Sequence, residues 1–215
     1  MEIVCYVVTA FAAYLLGSIP TGFLVAQTRG IDIRTVGSGN IGATNTLRVL
    51  GKPAGLFVLV MDAFKGWLAV VPLTLITATL FGRPMGGTSL ETAQIIAGLG
   101  VILGHNYTCW LQFKGGKGIA TSAGVLLAHV PLALLIIFIV FILLLLATRY
   151  VSMGSIAAAA TLPFASWLTD QSPTKIIVTG AMGMLAIYKH RENIGRLLKG
   201  TERRLGAQSA SEETK

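Results

Sequence analysis

Charge is sparse in this chain. Only 12% of its 215 residues are Asp, Glu, Lys or Arg, while 53% are hydrophobic and the mean hydropathy is +0.73. A soluble domain carries about 25% charged residues. The composition therefore predicts an integral membrane protein, with one transmembrane domain over 1–205 and a polar, disordered tail over 206–215. Cysteine is nearly absent. Cys5 and Cys109 fall near opposite ends of different apolar stretches, and a disulfide needs Cα atoms within roughly 7 Å, so both are expected as free thiols. No cysteine–histidine spacing suggests zinc. No metal, cofactor or nucleic-acid partner is expected. The first apolar run lacks a basic leader and a clear cleavage site, which reads as a retained span rather than a signal peptide. No internal repeat is visible.

What is present is mostly membrane-length helix. Crossing the hydrocarbon takes about 20 apolar residues, and the candidates are 3–27, 54–81, 92–111, 153–169 and 174–189. As one helix, 119–148 would be about 45 Å long against a core of about 30 Å. It is interrupted by His129-Val130-Pro131, where proline removes a donor and disfavours helix at the preceding residue. Splitting it into 119–129 and 132–148 gives seven spans. One face then holds 29–53, 112–118, 149–152 and 190–215. With Lys189, that face carries 14 Lys+Arg against 5 Asp+Glu, whereas the other holds Arg83 and Lys175 against Glu2, Glu91 and Asp170. Six spans would divide the basic segments between the two faces. The positive-inside rule thus favours seven transmembrane helices, the N-terminus outside and the C-terminus cytoplasmic. A span as short as 119–129 is expected to be a half-helix packed within the bundle. Gly154, Ser155 and Ala157 to Ala160 suit close helix packing. Asp62 and Lys65, three apart within a span, are expected to pair.

Three polar segments interrupt this pattern. The first runs Gly37-Ser38-Gly39-Asn40-Ile41-Gly42-Ala43-Thr44-Asn45-Thr46-Leu47-Arg48. It matches G-x-G-x-x-G by letter, with Asp62 twenty residues beyond Gly42, but its flanks are membrane spans and not a βαβ unit, so a dinucleotide site is rejected. What survives is local chemistry: glycines admit an anion close to the backbone, Ser38, Thr44 and Asn45 offer hydrogen bonds, and Arg48 can grip phosphate bidentately. A polar loop with turn glycines is the plain alternative. The second segment is Lys114-Gly115-Gly116-Lys117-Gly118. Ile119 stands where a Walker A motif needs Ser or Thr. The loop is nonetheless doubly cationic and leads into the N-terminus of the expected half-helix, which favours anions. A positive-inside anchor would explain its lysines but not its glycines. The third segment is Lys189-His190-Arg191-Glu192-Asn193, with His190 and Asn193 on one helical face. A basic cap on anionic lipid is the plain reading there.

Taken together, the segments resemble the acyl-phosphate:glycerol-3-phosphate acyltransferase (PlsY) family of bacterial membrane enzymes. The matching stretches are Gly37 to Arg48 with Gly51-Lys52, Gly104-His105 through Lys114–Gly118 to Thr121-Ser122, and His190 to Leu198. The resemblance implies a seven-helix protein of the bacterial inner membrane with its site facing the cytoplasm. It implies transfer of a fatty acyl group from acyl phosphate to the sn-1 hydroxyl of glycerol 3-phosphate. Carried over by motif, Ser38, Arg48, Lys117 and Asn193 would contact glycerol 3-phosphate. Gly39, Asn40, Thr44, Asn45, Gly115, Gly116 and Gly118 would form phosphate-binding surface, and Ser155 and His190 the polar floor. His190, Ser38, Arg48 and Lys117 are the catalytic candidates. The partners implied are the two substrates and membrane lipid, with a monomer expected.

One absence agrees with that donor. Five residues after His105, His129 and His190 stand Trp110, Leu134 and Gly195, so no histidine–carboxylate pair of the His-x4-Asp kind exists. An acyl phosphate is a mixed anhydride whose phosphate leaves readily. Positioning of two anions and stabilisation of charge then suffice in principle, with direct attack and no acyl-enzyme. The base is either His190 or a substrate phosphate oxygen. A transporter for a phosphorylated solute is the competing class, although the polar residues gather at one face and not at the midplane. CDP-alcohol phosphotransfer would need an aspartate cluster for metal, and the cytoplasmic loops hold only Asp32.

Overall fold

The computed structural model describes residues 1–83 and 86–206. Most of the expected disordered tail lies outside the described residues. Among those residues every regular element is helical. By internal contacts the chain divides into two compact units, Met1–Pro131 and Leu132–Lys215.

In the first unit, α1 (Glu2–Ser18) and α2 (Thr21–Gln27) occupy the first apolar stretch. The expectation was one continuous helix, but Pro20 cannot donate a helical hydrogen bond, and the chain breaks at Ile19. The break leaves carbonyls without helical partners. Thr108 Oγ1 donates to Ser18 O at 2.6 Å, and Lys65 Nζ donates to Ile19 O at 2.9 Å. The polar first segment, read above as a loop, contains a short helix, α3 (Ala43–Leu50). Gly51 then turns the chain at φ 88° into α4 (Lys52–Leu68). This continues through a wide π-turn at Ala69–Leu73, where Pro72 removes a donor, into α5 (Thr74–Leu80). Next come α6 (Gly87–Asn106), a 3-10 turn at Cys109–Leu111, and α7 (Ile119–His129). The half-helix is thus present, and it ends before Val130-Pro131 as the proline predicts.

Glycines set the closest approaches in this unit. A methyl group on Gly17 or Gly104 of α1 and α6 would strike a carbonyl oxygen of the facing helix, Val101 or Tyr14. Gly66 and Gly124 do the same between α4 and α7, against Thr121 and Ala63 carbonyls. Lipid tails offer no hydrophobic drive between helices, so backbone-to-backbone packing of this kind supplies the association. Cys5 and Cys109 are free thiols.

The second unit comprises α8 (Pro131–Thr148, its first residue at the boundary), α9 (Val151–Leu168), α10 (Pro173–Lys189) and α11 (Arg191–Leu198). Helix α8 buries only Ala133 and Ile137 and leaves Leu135, Phe138, Leu143 and Leu146 exposed, the composition of a lipid-facing helix. The small residues of α9 pack as expected, with Gly183 of α10 against the Ala159 carbonyl and Gly154 against Phe141. Among the described residues four helical stretches are long and apolar enough to cross a membrane: Glu2–Gln27, Lys52–Leu80, Pro131–Thr148 and Val151–Leu168. Helices α7 and α10 fall on two of the other expected stretches, whereas the expected 92–111 is α-helical only to Asn106, where α6 ends.

Candidate functional site

The first polar segment is built around Asn45. This side chain is buried, and its Oδ1 accepts the Ser38 N–H at 2.8 Å. Its Nδ2 donates to Val36 O at 3.1 Å and Ile33 O at 3.3 Å. Asn45 is thereby committed to shaping the loop, and it holds Ser38 exposed at the loop's tip. Gly37 and Gly39 both have positive φ, and a side chain on Gly37 would strike Asn45 Oδ1. Asn40 Oδ1 accepts the Gly42 N–H at 2.9 Å, just ahead of α3. Thr44 and Arg48 stand four apart on α3 and are half-buried, so they share a face. Asp32, the loop's one carboxylate, pairs with Arg34 at 2.7 Å. The hydrogen bonds from Arg34 hold the Asp32 carboxyl down at about 2.

A buried apolar cluster of Ala26, Ile33, Ile41, Leu50, Ala54 and Leu111 joins this segment to the foot of the second. There the chain rises through Gln112 and Phe113, both in the left-handed region, into Lys114–Gly118. The Gly115 and Gly116 N–H groups donate to Asn106 O at 3.2 Å and His105 O at 3.0 Å. Methyl groups on Gly115, Gly116 and Gly118 would collide with His105 O, the His105 ring and Asn106 Oδ1. These glycines therefore serve to lay the loop on the end of α6. The backbone donors the helix leaves without intrahelical acceptors belong to Ile119, Ala120 and Thr121, at the N-terminus of α7. Lys117 is half-buried and Lys114 exposed.

The pair expected within the membrane is present. Lys65 Nζ lies 2.9 Å from Asp62 Oδ1, both side chains being almost fully buried. Asp62 Oδ1 also accepts from Thr21 Oγ1 at 3.0 Å and lies 3.7 Å from His105 Nδ1. The pair thus bridges the α1–α2 break, with the ammonium on the carbonyl of Ile19, just past α1, and the carboxylate at the start of α2.

The second unit holds its own polar cluster. His190 is buried, and its Nδ1 stands 2.8 Å from Ala186 O. A carbonyl only accepts, so Nδ1 carries the proton and the lone pair of the neutral ring is at Nε2. One turn on, Asn193 Nδ2 donates to Glu202 Oε1 at 2.7 Å. The same carboxylate accepts from Ser152 Oγ at 2.8 Å and from Arg196 Nε at 2.7 Å. Burial would raise the Glu202 carboxyl, but the hydrogen bonds from Arg196, Asn193 and Ser152 prevail and hold it below the ordinary range. Ser155, the residue singled out in the sequence, donates to Val151 O at 2.9 Å. Its neighbour Ser152, one turn earlier, is the one joined to Asn193 through Glu202. Sequence reasoning missed Glu202 and did not single out Arg196. Among the described residues no group of three or more His, Cys, Asp or Glu is placed to hold a metal ion.

Known proteins are similar to this chain over nearly its whole length. The family model for glycerol-3-phosphate acyltransferase matches residues 7–200. The chain belongs to the glycerol-3-phosphate acyltransferase family. Relatives bearing that name include one from Desulforamulus reducens, 45% identical over 201 residues that cover 93% of this chain and 95% of the relative. Another, from Moorella thermoacetica, is 46% identical and covers 92% and 96%. The fold is similar to the crystal structure of PlsY (YgiH), an integral membrane glycerol 3-phosphate acyltransferase, in its glycerol 3-phosphate form. That match has a TM-score of 0.81 and 40% identity, over 94% of this chain and 96% of the other. The lysophosphatidic acid form of PlsY matches with a TM-score of 0.79 and 39% identity, over 94% and 95%. Every segment singled out in the sequence lies within the family match.

Proposed function

We propose that this chain transfers a fatty acyl group from acyl phosphate to the sn-1 hydroxyl of glycerol 3-phosphate, giving 1-acyl-glycerol 3-phosphate and phosphate, the first step of phospholipid synthesis. The observation that carries the reading is the family match over residues 7–200, reinforced by the likeness to PlsY in its glycerol 3-phosphate form. The donor is argued from chemistry: the chain has no His-x4-Asp pair, and a phosphate leaving group demands little acid–base assistance.

In this mechanism Ser38, Arg48, Lys117 and Asn193 hold glycerol 3-phosphate. Gly39, Asn40, Thr44, the glycine loop and the first turn of α7 supply the remaining anion-binding surface, with Ser155 and His190 as polar floor. Asn45 acts by shaping the Ser38 turn. The sn-1 oxygen attacks the acyl carbonyl carbon, the carbon–oxygen bond to phosphate breaks, and phosphate leaves with the bonding pair. The hydroxyl proton passes to His190 Nε2 or to a phosphate oxygen. His190→Ala retaining most of kcat would assign it to the phosphate. The protein is monomeric in this reading, with seven spans across the bacterial inner membrane, its N-terminus outside and its site on the cytoplasmic face.

The test uses the full chain purified in detergent with glycerol 3-phosphate and either acyl phosphate or acyl-CoA. Release of inorganic phosphate matched by 1-acyl-glycerol 3-phosphate supports the reading. Turnover with acyl-CoA alone overturns the donor assignment. The absence of product with either donor overturns the function.

A further inference from the structure

The mechanism leaves one buried histidine unused. His105 is 5% exposed and sits in the last turn of α6. Its ring has two distinct sides. On one, Nδ1 lies 3.7 Å from Asp62 Oδ1, which is itself held by Lys65 and Thr21. On the other, the ring meets the glycine loop: the three atoms nearest to a methyl group on Gly116 are all imidazole atoms, Nε2 foremost. The His105 carbonyl meanwhile accepts the Gly116 N–H. One residue therefore grips Gly116 through both its backbone and its ring, and a buried ion pair backs the ring from behind.

We infer that His105 is a positioning residue that holds the glycine loop in its anion-binding shape, with Asp62 fixing the ring from the far side. This rests on the reading that the loop binds glycerol 3-phosphate. The physical case is one of support. A loop with glycine at three of its five positions has unusually wide conformational freedom, and an anion site works only when its donors are held in place before the ligand arrives. Two backbone hydrogen bonds fix the loop's height on α6. The ring fills the space beneath Gly116 that the loop would otherwise sink into. A purely structural histidine would lower stability when removed. A positioning one also weakens substrate binding while the turnover of bound substrate is largely preserved.

The geometry supplies a specific test, because the ring and a Gly116 methyl compete for one space. Variants His105→Ala, Gly116→Ala and the double variant are compared in the purified full chain. The readouts are kcat, KM for glycerol 3-phosphate, and Kd for glycerol 3-phosphate by calorimetry. Either single substitution should raise KM and Kd about 10-fold, within the ~100-fold that a 1 Å misplacement can cost, with kcat changed far less. The double variant should match His105→Ala to within about twofold, the scatter with which such free energies are compared, whereas independent sites would multiply both losses. If His105→Ala does not fold, His105→Asn removes part of the ring and should show the same pattern on a smaller scale. Unchanged KM and Kd in the histidine variants, or multiplied losses in the double variant, overturns the inference. Hydrogen exchange at the Gly116 amide separates this from failure of the functional reading. Exchange should accelerate in the histidine variants whether or not the chain turns over substrate, and unchanged protection overturns the inference too.

Discussion

The Glu202 carboxylate accepts a 2.7 Å hydrogen bond from Asn193 Nδ2 and a second, of equal length, from Arg196 Nε. A residue nine positions along the chain thus fixes the amide that the proposed mechanism aims at substrate. Hydrogen bonds to a charged group contribute roughly 1.5–3 kcal/mol each. Glu202→Ala should therefore lower stability by about 2 kcal/mol or more and raise KM for glycerol 3-phosphate. Thermal unfolding in detergent and steady-state kinetics check the two effects. Loss of neither would mean that Asn193 is held by something else.

The same carboxylate predicts a pH dependence. Its folded pKa is depressed below the ordinary value near 4.5. A depressed carboxylate stabilises the fold fully above its unfolded pKa, and that contribution is lost as pH falls through the lower folded value. The difference in Tm between the unsubstituted chain and Glu202→Gln should be constant near neutrality and shrink below about pH 4.5. A gap that stays the same down to pH 3 would contradict the assignment.

Arg48 and Lys117 are proposed to meet substrate phosphate. Replacing either with alanine should lower kcat/KM by about 10- to 150-fold, from the same hydrogen-bond range. Leu143→Ala, on the exposed side of α8, should change it by less than about twofold. Equal losses at all three positions would argue against a localised site.

Asp62 and Lys65 form a buried pair at 2.9 Å. Removing one partner of such a pair strands the other charge and costs about 3–5 kcal/mol, whereas replacing both with apolar residues is often nearly neutral. Asp62→Leu should thus be more damaging alone than together with Lys65→Met. Chemical denaturation of the three variants tests the order. A double variant worse than either single one would show that the contacts to Thr21 and Ile19 outweigh the pair itself.

Gly124 packs its Cα onto the Ala63 carbonyl. Gly124→Ala must push α7 off α4, and overpacking of this kind costs about 1–3 kcal/mol. Because α7 begins at the glycine loop, KM for glycerol 3-phosphate should rise together with the loss of stability. Wild-type kinetics in a destabilised variant would separate the helix from the site.

The elements legible in the sequence are those written in local chemistry. Apolar length marked the spans, and Pro131 marked the end of α7 because a missing N–H acts on its own helix. Pro20 carried the same signal, but its flanks, Leu15-Leu16-Gly17-Ser18-Ile19 and Phe23-Leu24-Val25, are apolar enough to hide a break. Helix α3 was not legible: its Ala43-Thr44-Asn45-Thr46 start is poor in strong helix formers, and packing of Leu47 against Gly55 helps to hold it. In the candidate site, side-chain types were legible but their employment was not. Asn45 reads as a substrate donor until its three hydrogen bonds into the 33–38 backbone are seen. The loop glycines read as anion binders, and nothing local shows that they also lie against His105 and Asn106. Glu202 lies in a basic stretch, and nothing local links it to Ser152, fifty residues away.

Two amides of the glycine loop are bonded to the carbonyl end of α6, and this has a thermodynamic consequence. Free energy that the end of α6 spends in preparing the loop is returned when the loop is occupied, because linkage between two equilibria is reciprocal. An anion bound at the loop must therefore tighten α6 as surely as α6 tightens the loop. In the proposed mechanism, substrate affinity and the local stability of α6 are therefore two readings of one quantity.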